Sequence, residues 1–409
     1  MSSRIRSART IAILAVTQLV SWGTLYYAFT IVARDIEHAL GLRAEVVFGA
    51  FSWSLLVAGL AATPVGILID RHGGRLPMAA GSLLSAAGLL LLSGAQGPVS
   101  YFAAWTVLGL GMSGALYDAA FATLNTHFGA GARRAISTLT LFGGFASTVF
   151  WPLTLKLNTL GGWRQTYLWY ALLQVLLCLP LHLLLDSAPV PAPRASSVRS
   201  GADFSLQQAL RHPAFWTLAC AFSANSFIFS ALSVHLIPIL QSYGHPVGTV
   251  VLMAALIGPM QVAGRLAEMT IARRAHPATI GKVCFAIMPA ALLALLFFGQ
   301  QQWAMALFCV LYGLANGILT IVRGTLPQLL FGARNYGAIS GALAGPSLLA
   351  KAAGPLAVAA VMQFNSSPAV LFGMLLAFAL SSMLFFMLAV RSQARTAPTN
   401  APLSTSRTP

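Results

Sequence analysis

Twelve apolar runs separated by short polar turns govern what this chain can fold into: residues 11–33, 45–69, 76–94, 99–126, 135–157, 164–185, 213–241, 246–269, 279–298, 302–328, 336–362 and 369–390. Crossing about 30 Å of hydrocarbon takes roughly 20 helical residues, so each run is long enough to span a bilayer. Lipid offers the backbone no hydrogen-bond partner, and a run of this kind must satisfy its own amides as a helix. Only 8% of the 409 residues are charged, against about 25% in a soluble domain. The expected fold class is an all-α membrane protein of twelve transmembrane helices.

Charge placement gives the orientation. With the N-terminus inside, eighteen Lys and Arg fall on the inner segments and four, Arg34, Arg43, Lys156 and Arg164, on the outer ones. Such an excess marks the cytoplasmic side and places both termini there. The formal charge of +16 thus reads as a membrane-facing surface, not a nucleic-acid footprint. Arg4, Arg6 and Arg9 before residues 11–33 imitate a signal peptide. That run is too long for a signal core, and further spans follow it, so it reads as a retained first helix. Cys178, Cys220, Cys284 and Cys309 show no CxxC spacing and are expected to be buried small hydrophobes.

The expected organisation is a cytoplasmic N-terminus (1–10), a six-helix bundle (11–185), a cytoplasmic linker (186–212), a second six-helix bundle (213–390) and a disordered cytoplasmic tail (391–409). The linker carries Pro189, Pro191 and Pro193, then Ser196, Ser197 and Ser200, with a short interfacial helix expected over 204–211. The halves echo each other. Gly66-x-x-x-Asp70 recurs as Gly264-x-x-x-Glu268, Phe128-Gly129 as Phe331-Gly332, and Pro152 as Pro355. Duplicated bundles of this kind suit alternating access.

A compact charged turn, Gly66-Ile67-Leu68-Ile69-Asp70-Arg71-His72-Gly73-Gly74-Arg75, joins the second and third runs. Its glycines permit close approach and sharp reversal, Asp70 can accept hydrogen bonds or face a basic side chain, and Arg71 and Arg75 can meet anionic lipid headgroups. On Gly66, Asp70, Arg71, Gly73 and Arg75, with twelve spans around them, the chain resembles the major facilitator superfamily over residues 9–391. The resemblance implies two pseudo-symmetric six-helix bundles and a loop that latches one conformation, a role carried to these five residues and to Glu268 in the second half. Ser21 to Phe29, with Trp22, Gly23, Tyr26 and Tyr27, is similar to the first helix of bacterial permeases resembling monocarboxylate transporters. Lys351 is similar to a lysine of oxalate/formate exchangers. That subgroup also carries an arginine in the middle of its eighth span, whereas Arg265 lies near that span's cytoplasmic end, which argues against a dicarboxylate substrate.

Three charges inside apolar runs are the main functional candidates. Asp118, near the middle of the fourth, reads as a proton carrier or as the ion-pair partner of Arg323 in the tenth; a carboxylate at helix centre costs about 2.5–3.5 kcal/mol on insertion scales and so faces a cavity. Arg323 corresponds to Asp118 within two residues under the repeat, and it reads as an anion ligand or a structural partner. Lys351, between Gly345-Pro346 and Gly354-Pro355, reads as an anion ligand or a helix tether. Tyr26, Tyr117, His235 and Asn316 are candidate pore-lining substrate contacts, each balanced against ordinary packing.

Nothing resembles a hydrolase triad, a phosphate loop or a metal cluster, so no enzyme activity, cofactor or metal is expected and transport would draw on gradients. One acid and two bases give a net positive cavity. The expected function is proton-coupled symport of a small organic anion, a monocarboxylate, across a bacterial inner membrane. Its partners would be that substrate, a proton and anionic lipids at the cytoplasmic face, with no nucleic acid, and the chain would be a monomer. An exporter of an amphipathic metabolite or drug, and a non-transporting receptor of the same fold, are the alternatives.

Overall fold

The computed structural model describes residues 3–186, 203–241, 243–272, 274–364 and 367–396, and among these every regular element is helical. The membrane helices are α1 (Ser7–Leu40), α2 (Ala44–His72), α3 (Arg75–Ser93) and α4 (Pro98–Phe128), then α5 and α6, which share the continuous stretch Ala132–Leu183. Gly162 divides that stretch into 132–161 and 163–183, because its φ of +73° is open to glycine and closed to most other residues. The second half holds α7 (Pro213–Gln241), α8 (Gly248–Thr270), α9 (Pro277–Phe298), α10 (Gln302–Phe331), α11 (Tyr336–Phe364) and α12 (Pro368–Thr396).

Boundaries follow local chemistry. Gly73, with φ +77°, ends α2, and Pro98 and Pro277 open α4 and α9 at first-turn positions where a missing N–H costs nothing. The short linker helix is Leu206–Arg211, started by a reciprocal cap between Ser205 and Gln208. Residues 187–202 and 397–409, parts of the expected linker and tail, lie outside the described residues. Residues 391–396, expected as the start of a disordered tail, are instead helical: α12 runs through Thr396, since Arg391 to Arg395 contains no helix breaker. Cys220 is exposed, contrary to expectation, while Cys178, Cys284 and Cys309 are buried; its side chain falls on an outward face of α7.

Two buried clusters draw on residues 13–185 with Tyr336, and two on residues 209–389. Between the halves, α2 and α11 pack through small residues. A methyl group added to Gly66 would stand 2.0 Å from the Gly337 carbonyl oxygen, and one added to Gly341 would stand 2.3 Å from that of Ala62. In lipid, where apolar surface gains little by leaving its solvent, such close backbone packing supplies the adhesion.

This seam lies toward the face that carries the N-terminal end of α1 and the C-terminal end of α12, the terminal face. Hydrogen bonds tie the halves there. Gly337 N and Ala338 N, in the first turn of α11, donate to the Asp70 carboxylate, each at 2.8 Å. Asn125 Nδ2 donates to the Ala333 carbonyl at 2.9 Å, and Gln328 Nε2 to that of Gly129 at 2.7 Å. Arg133 donates through Nε and Nη2 to Glu268 at 3.0 and 2.7 Å, and Ser137 Oγ to the other Glu268 oxygen at 2.8 Å. The molecule is closed at its terminal face.

Candidate functional site

Helix α4 breaks in mid-membrane. Its first part ends at Ala115, Leu116 is extended (φ −96°, ψ −170°), and Tyr117 starts a second part. The Gln18 amide of α1 donates to the Ala115 carbonyl at 2.7 Å, satisfying an acceptor near the break. Asp118 therefore sits in the first turn of a half-helix, where unpaired amides and the helix dipole favour a negative charge. Arg323 reaches it from the other half, Nη2 lying 3.8 Å from Oδ1. The side chains are 27% and 31% exposed. The pair borders open space, and Asp118 also lines a crevice too narrow to hold water, with Val65, Gly66, Ser113 and Gly337.

Lys351 of α11 points into an aromatic cage shared by both halves. Its ammonium lies 4.0 Å from the centre of the Tyr26 ring and 5.6 Å from those of Trp22 and Phe229. Trp22 packs in turn on Tyr117, with ring centres 5.0 Å apart, and Tyr26 meets Tyr27 edge-on at 5.4 Å. The local fold of α1 arranges this cluster. Residues Gly23–Tyr27 form a π-helical turn, a device that inserts one residue and re-aims its neighbours. The turn is held against a second π-turn in α6, Gln174–Cys178, by a 3.0 Å hydrogen bond from Gln174 to Thr24.

Arg265 of α8 completes the cluster. Its position near the end of the span suggested a peripheral side chain, yet it is 4% exposed and reaches inward. A methyl group on Gly144 would fall 1.8 Å from Arg265 Nη1, and one on Gly143 would fall 2.2 Å from the Tyr117 hydroxyl. The Gly143-Gly144 pair of α5 therefore clears the space that both polar ends occupy. Arg265 is close enough to interact electrostatically with the Tyr27 and Tyr117 hydroxyls. Its Nε and Nη1 are buried without a hydrogen-bond partner. A guanidinium held out of water with free donors is costly unless an anion or water meets them.

The other candidates are distributed differently. His235 Nε2 pairs with the Pro355 carbonyl at 3.1 Å and links α7 to α11. Asn316 is half-buried on α10, and its backbone carbonyl accepts the Thr320 hydroxyl. Asp70 and Gly66 lie in the α2–α11 seam, and Glu268 lies at the contact between α8 and α5; Arg71 and Arg75 are exposed at the terminal face. Phe229 and Arg265 were missed from sequence. An arginine within an apolar run was the available signal for Arg265, but its direction is set by packing against the glycine pair of the other half.

These features, two six-helix halves with charges facing one another at mid-depth, can be set beside known proteins. The family model of the Major Facilitator Superfamily matches residues 11–355. The chain belongs to this superfamily. It is thus a multi-pass membrane transporter and not an enzyme. An oxalate:formate antiporter of Oxalobacter formigenes is 24% identical over 237 residues, which is 58% of this chain and 56% of the antiporter, so little more than half of that relative is spanned. An uncharacterized 38 kDa protein of Thermoproteus tenax is 27% identical over 328 residues, covering 80% of this chain and 81% of the relative. Among solved structures, the human organic anion transporter MFSD10 (TETRAN) superposes with a TM-score of 0.70 at 17% identity, covering 93% of this chain and 99% of that one. The Escherichia coli fucose:proton symporter FucP superposes with a TM-score of 0.71 at 12% identity, over 93% and 98%. Both likenesses establish the superfamily fold: twelve helices in two pseudo-symmetric bundles.

Proposed function

We propose that this superfamily member carries a small organic anion across a bacterial inner membrane by alternating access, with both termini cytoplasmic and a proton carried on Asp118. The observation that supports it most is the presence of two inward-reaching cations, Lys351 and Arg265, neither with a carboxylate in salt-bridge contact among the described residues. Lys351 is surrounded by aromatic rings, and Arg265 keeps two buried nitrogens unpartnered. Aromatic faces hold a cation without cancelling its charge, so both groups remain able to receive an anion. Arg323 is already opposed by Asp118; its role is to tune that carboxylate, with a direct substrate contact secondary. Tyr26 and Tyr117 wall the space, while His235 and Asn316 stand further out as contacts. The name of the oxalate:formate relative supports a small carboxylate.

With the termini inside, the closed terminal face makes this an outward-facing or occluded state. Asp70, Glu268 and Gly66 form the latch that must part for inward opening. Gly73 shapes its turn, and Arg71 and Arg75 meet anionic lipid. The monocarboxylate expected from sequence has one competitor, a dicarboxylate, which a second inward-reaching cation favours, since Arg265 lies beside Tyr117, a ring of the cluster that also holds Lys351. Purified protein screened for thermal stabilisation by mono- and dicarboxylates, then tested for flux in proteoliposomes, separates them. Symport predicts substrate-driven pH change; failure of every carboxylate to stabilise the protein or to move would refute the anion reading.

A further inference from the structure

The α10–α11 turn, Gly332 to Asn335, is held from two directions. Asp203, just before the short linker helix, accepts from Ala333 N at 3.0 Å and Arg334 N at 3.4 Å. Its carboxylate rests against Gly332, where a methyl group would fall 2.2 Å from Oδ1 and where φ is +89°. Phe204 N donates to the Phe331 carbonyl at 2.9 Å, and Asn335 Nδ2 donates to the Phe204 carbonyl at 2.8 Å. A few residues on, Asp70 from the other half takes Gly337 N and Ala338 N at 2.8 Å each.

Two carboxylates thus divide the amides at the head of α11. The Asp70 bonds cross between the halves and must break when the terminal face opens. The Asp203 bonds lie between the linker end and its own half, and a rocking motion leaves them intact. Asp203 is exposed, so its two hydrogen bonds do not serve to rescue a buried charge. What they fix is the approach of the turn, and hence where the Gly337 and Ala338 amides present themselves. Charge-assisted hydrogen bonds of this kind depend on tenths of an ångström, and disorder in the turn would be an entropic cost on every closure.

We propose that Asp203 is a positioning residue for the latch: the linker end pre-sets the α10–α11 turn so that Asp70 can capture α11, biasing the transporter toward the state closed at its terminal face. This rests on alternating access and not on the identity of the substrate.

The test uses full-length protein in nanodiscs with spin labels on cysteines replacing His72 and Arg274, both exposed at the terminal face on opposite halves, in a Cys220→Ser background. Electron–electron distance measurements read the populations closed and open at that face. Asp203→Asn is expected to raise the long-distance population several-fold, Asp203→Glu to raise it less, and Asp70→Asn to raise it more. Because Asp203 acts through the latch, the Asp203→Asn/Asp70→Asn double variant is expected to match Asp70→Asn alone. Asn335→Ala, which loosens the same strap without touching a carboxylate, is expected to shift the distances in the same direction and serves if Asp203→Asn does not fold. An unchanged distribution in the folded strap variants, or a double variant equal to the sum of the singles, overturns the proposal. Since no substrate is needed, failure of the anion reading leaves this outcome independent.

Discussion

The Lys351 ammonium lies 4.0 Å from the centre of the Tyr26 ring, across the boundary between the two halves. A cation held by a ring face keeps its charge for a ligand, whereas a carboxylate partner would cancel it. The contact also joins α11 to the π-turn of α1, so movement of either half alters what Lys351 faces.

Tyr26 therefore acts through its ring more than through its hydroxyl. Tyr26→Phe is expected to retain substrate affinity. Tyr26→Leu is expected to weaken it roughly 2- to 30-fold, the equivalent of about 0.5–2 kcal/mol for a cation–π contact. Lys351→Gln removes the charge and is expected to abolish anion binding while leaving the fold intact. Equilibrium binding to purified protein, with thermal unfolding as the fold control, measures all three.

Asp118 and Arg323 separate coupling from stability. Asp118→Asn cannot release a proton, so it is expected to lose substrate-driven pH change in proteoliposomes while retaining substrate exchange, which needs no net proton movement. Arg323→Ala leaves a carboxylate facing lipid-depth surroundings without its partner. Breaking a buried pair costs about 3–5 kcal/mol, and less is expected for this partly exposed one. The D118N/R323Q double variant is expected to unfold at a higher temperature than Arg323→Ala and to remain uncoupled. Full proton-coupled flux in both single variants would remove the pair from the mechanism.

The spans were readable because hydrocarbon imposes a length that apolar runs display directly, and Asp118, Arg323 and Lys351 stood out as charges within them. Gly162, inside the expected gap between the fifth and sixth spans, marked where one long helix reverses. Other features depend on contacts distant in sequence. Nothing next to Leu116 announces the α4 break, which relies on Gln18 of another helix to satisfy Ala115. The reach of Arg265 depends on glycines about 120 positions away, and Asp70 was expected to meet a basic side chain as readily as backbone amides. Glu268 takes Arg133 and Ser137 from the opposite half, partners that nothing in its own segment points to. Periodicity in one segment carries no information about which partner segment will face it.

The glycine pair of α5 offers a test by rescue. Gly143→Ala sets a methyl group 2.2 Å from the Tyr117 hydroxyl, an overlap that must displace one of them. Affinity for the anion is expected to fall, and Tyr117→Phe, which deletes the obstructing oxygen, is expected to restore part of it. Gly144→Ala meets Arg265 Nη1 at 1.8 Å and has no such remedy, because shortening Arg265 to Lys removes the planar donor fork. Dissociation constants for the four variants and the Gly143→Ala/Tyr117→Phe combination decide the matter; equal losses with and without Tyr117→Phe would show that the overlap is relieved elsewhere.

The seam between α2 and α11 should behave as a gate whose closure depends on one missing methyl group. Gly66→Ala directs that group at the Gly337 carbonyl oxygen, 2.0 Å away, and backbone cannot swing aside as a flexible side chain would. The helices must separate, and the 2.8 Å bonds from Gly337 N and Ala338 N to Asp70 lengthen with them. A cysteine replacing Val65, beside the narrow crevice at Asp118, is expected to be protected from an impermeant thiol reagent applied at the terminal face of inside-out vesicles, with Cys220 replaced by Ser. Adding Gly66→Ala is expected to expose it. Gly73→Ala supplies the contrast, since it strains a φ of +77° with nothing within 4 Å of the added methyl. It is expected to lower stability by about 1 kcal/mol and leave the cysteine protected. Equal labelling in the two glycine variants would mean that general loosening, and not the seam, controls access to Asp118.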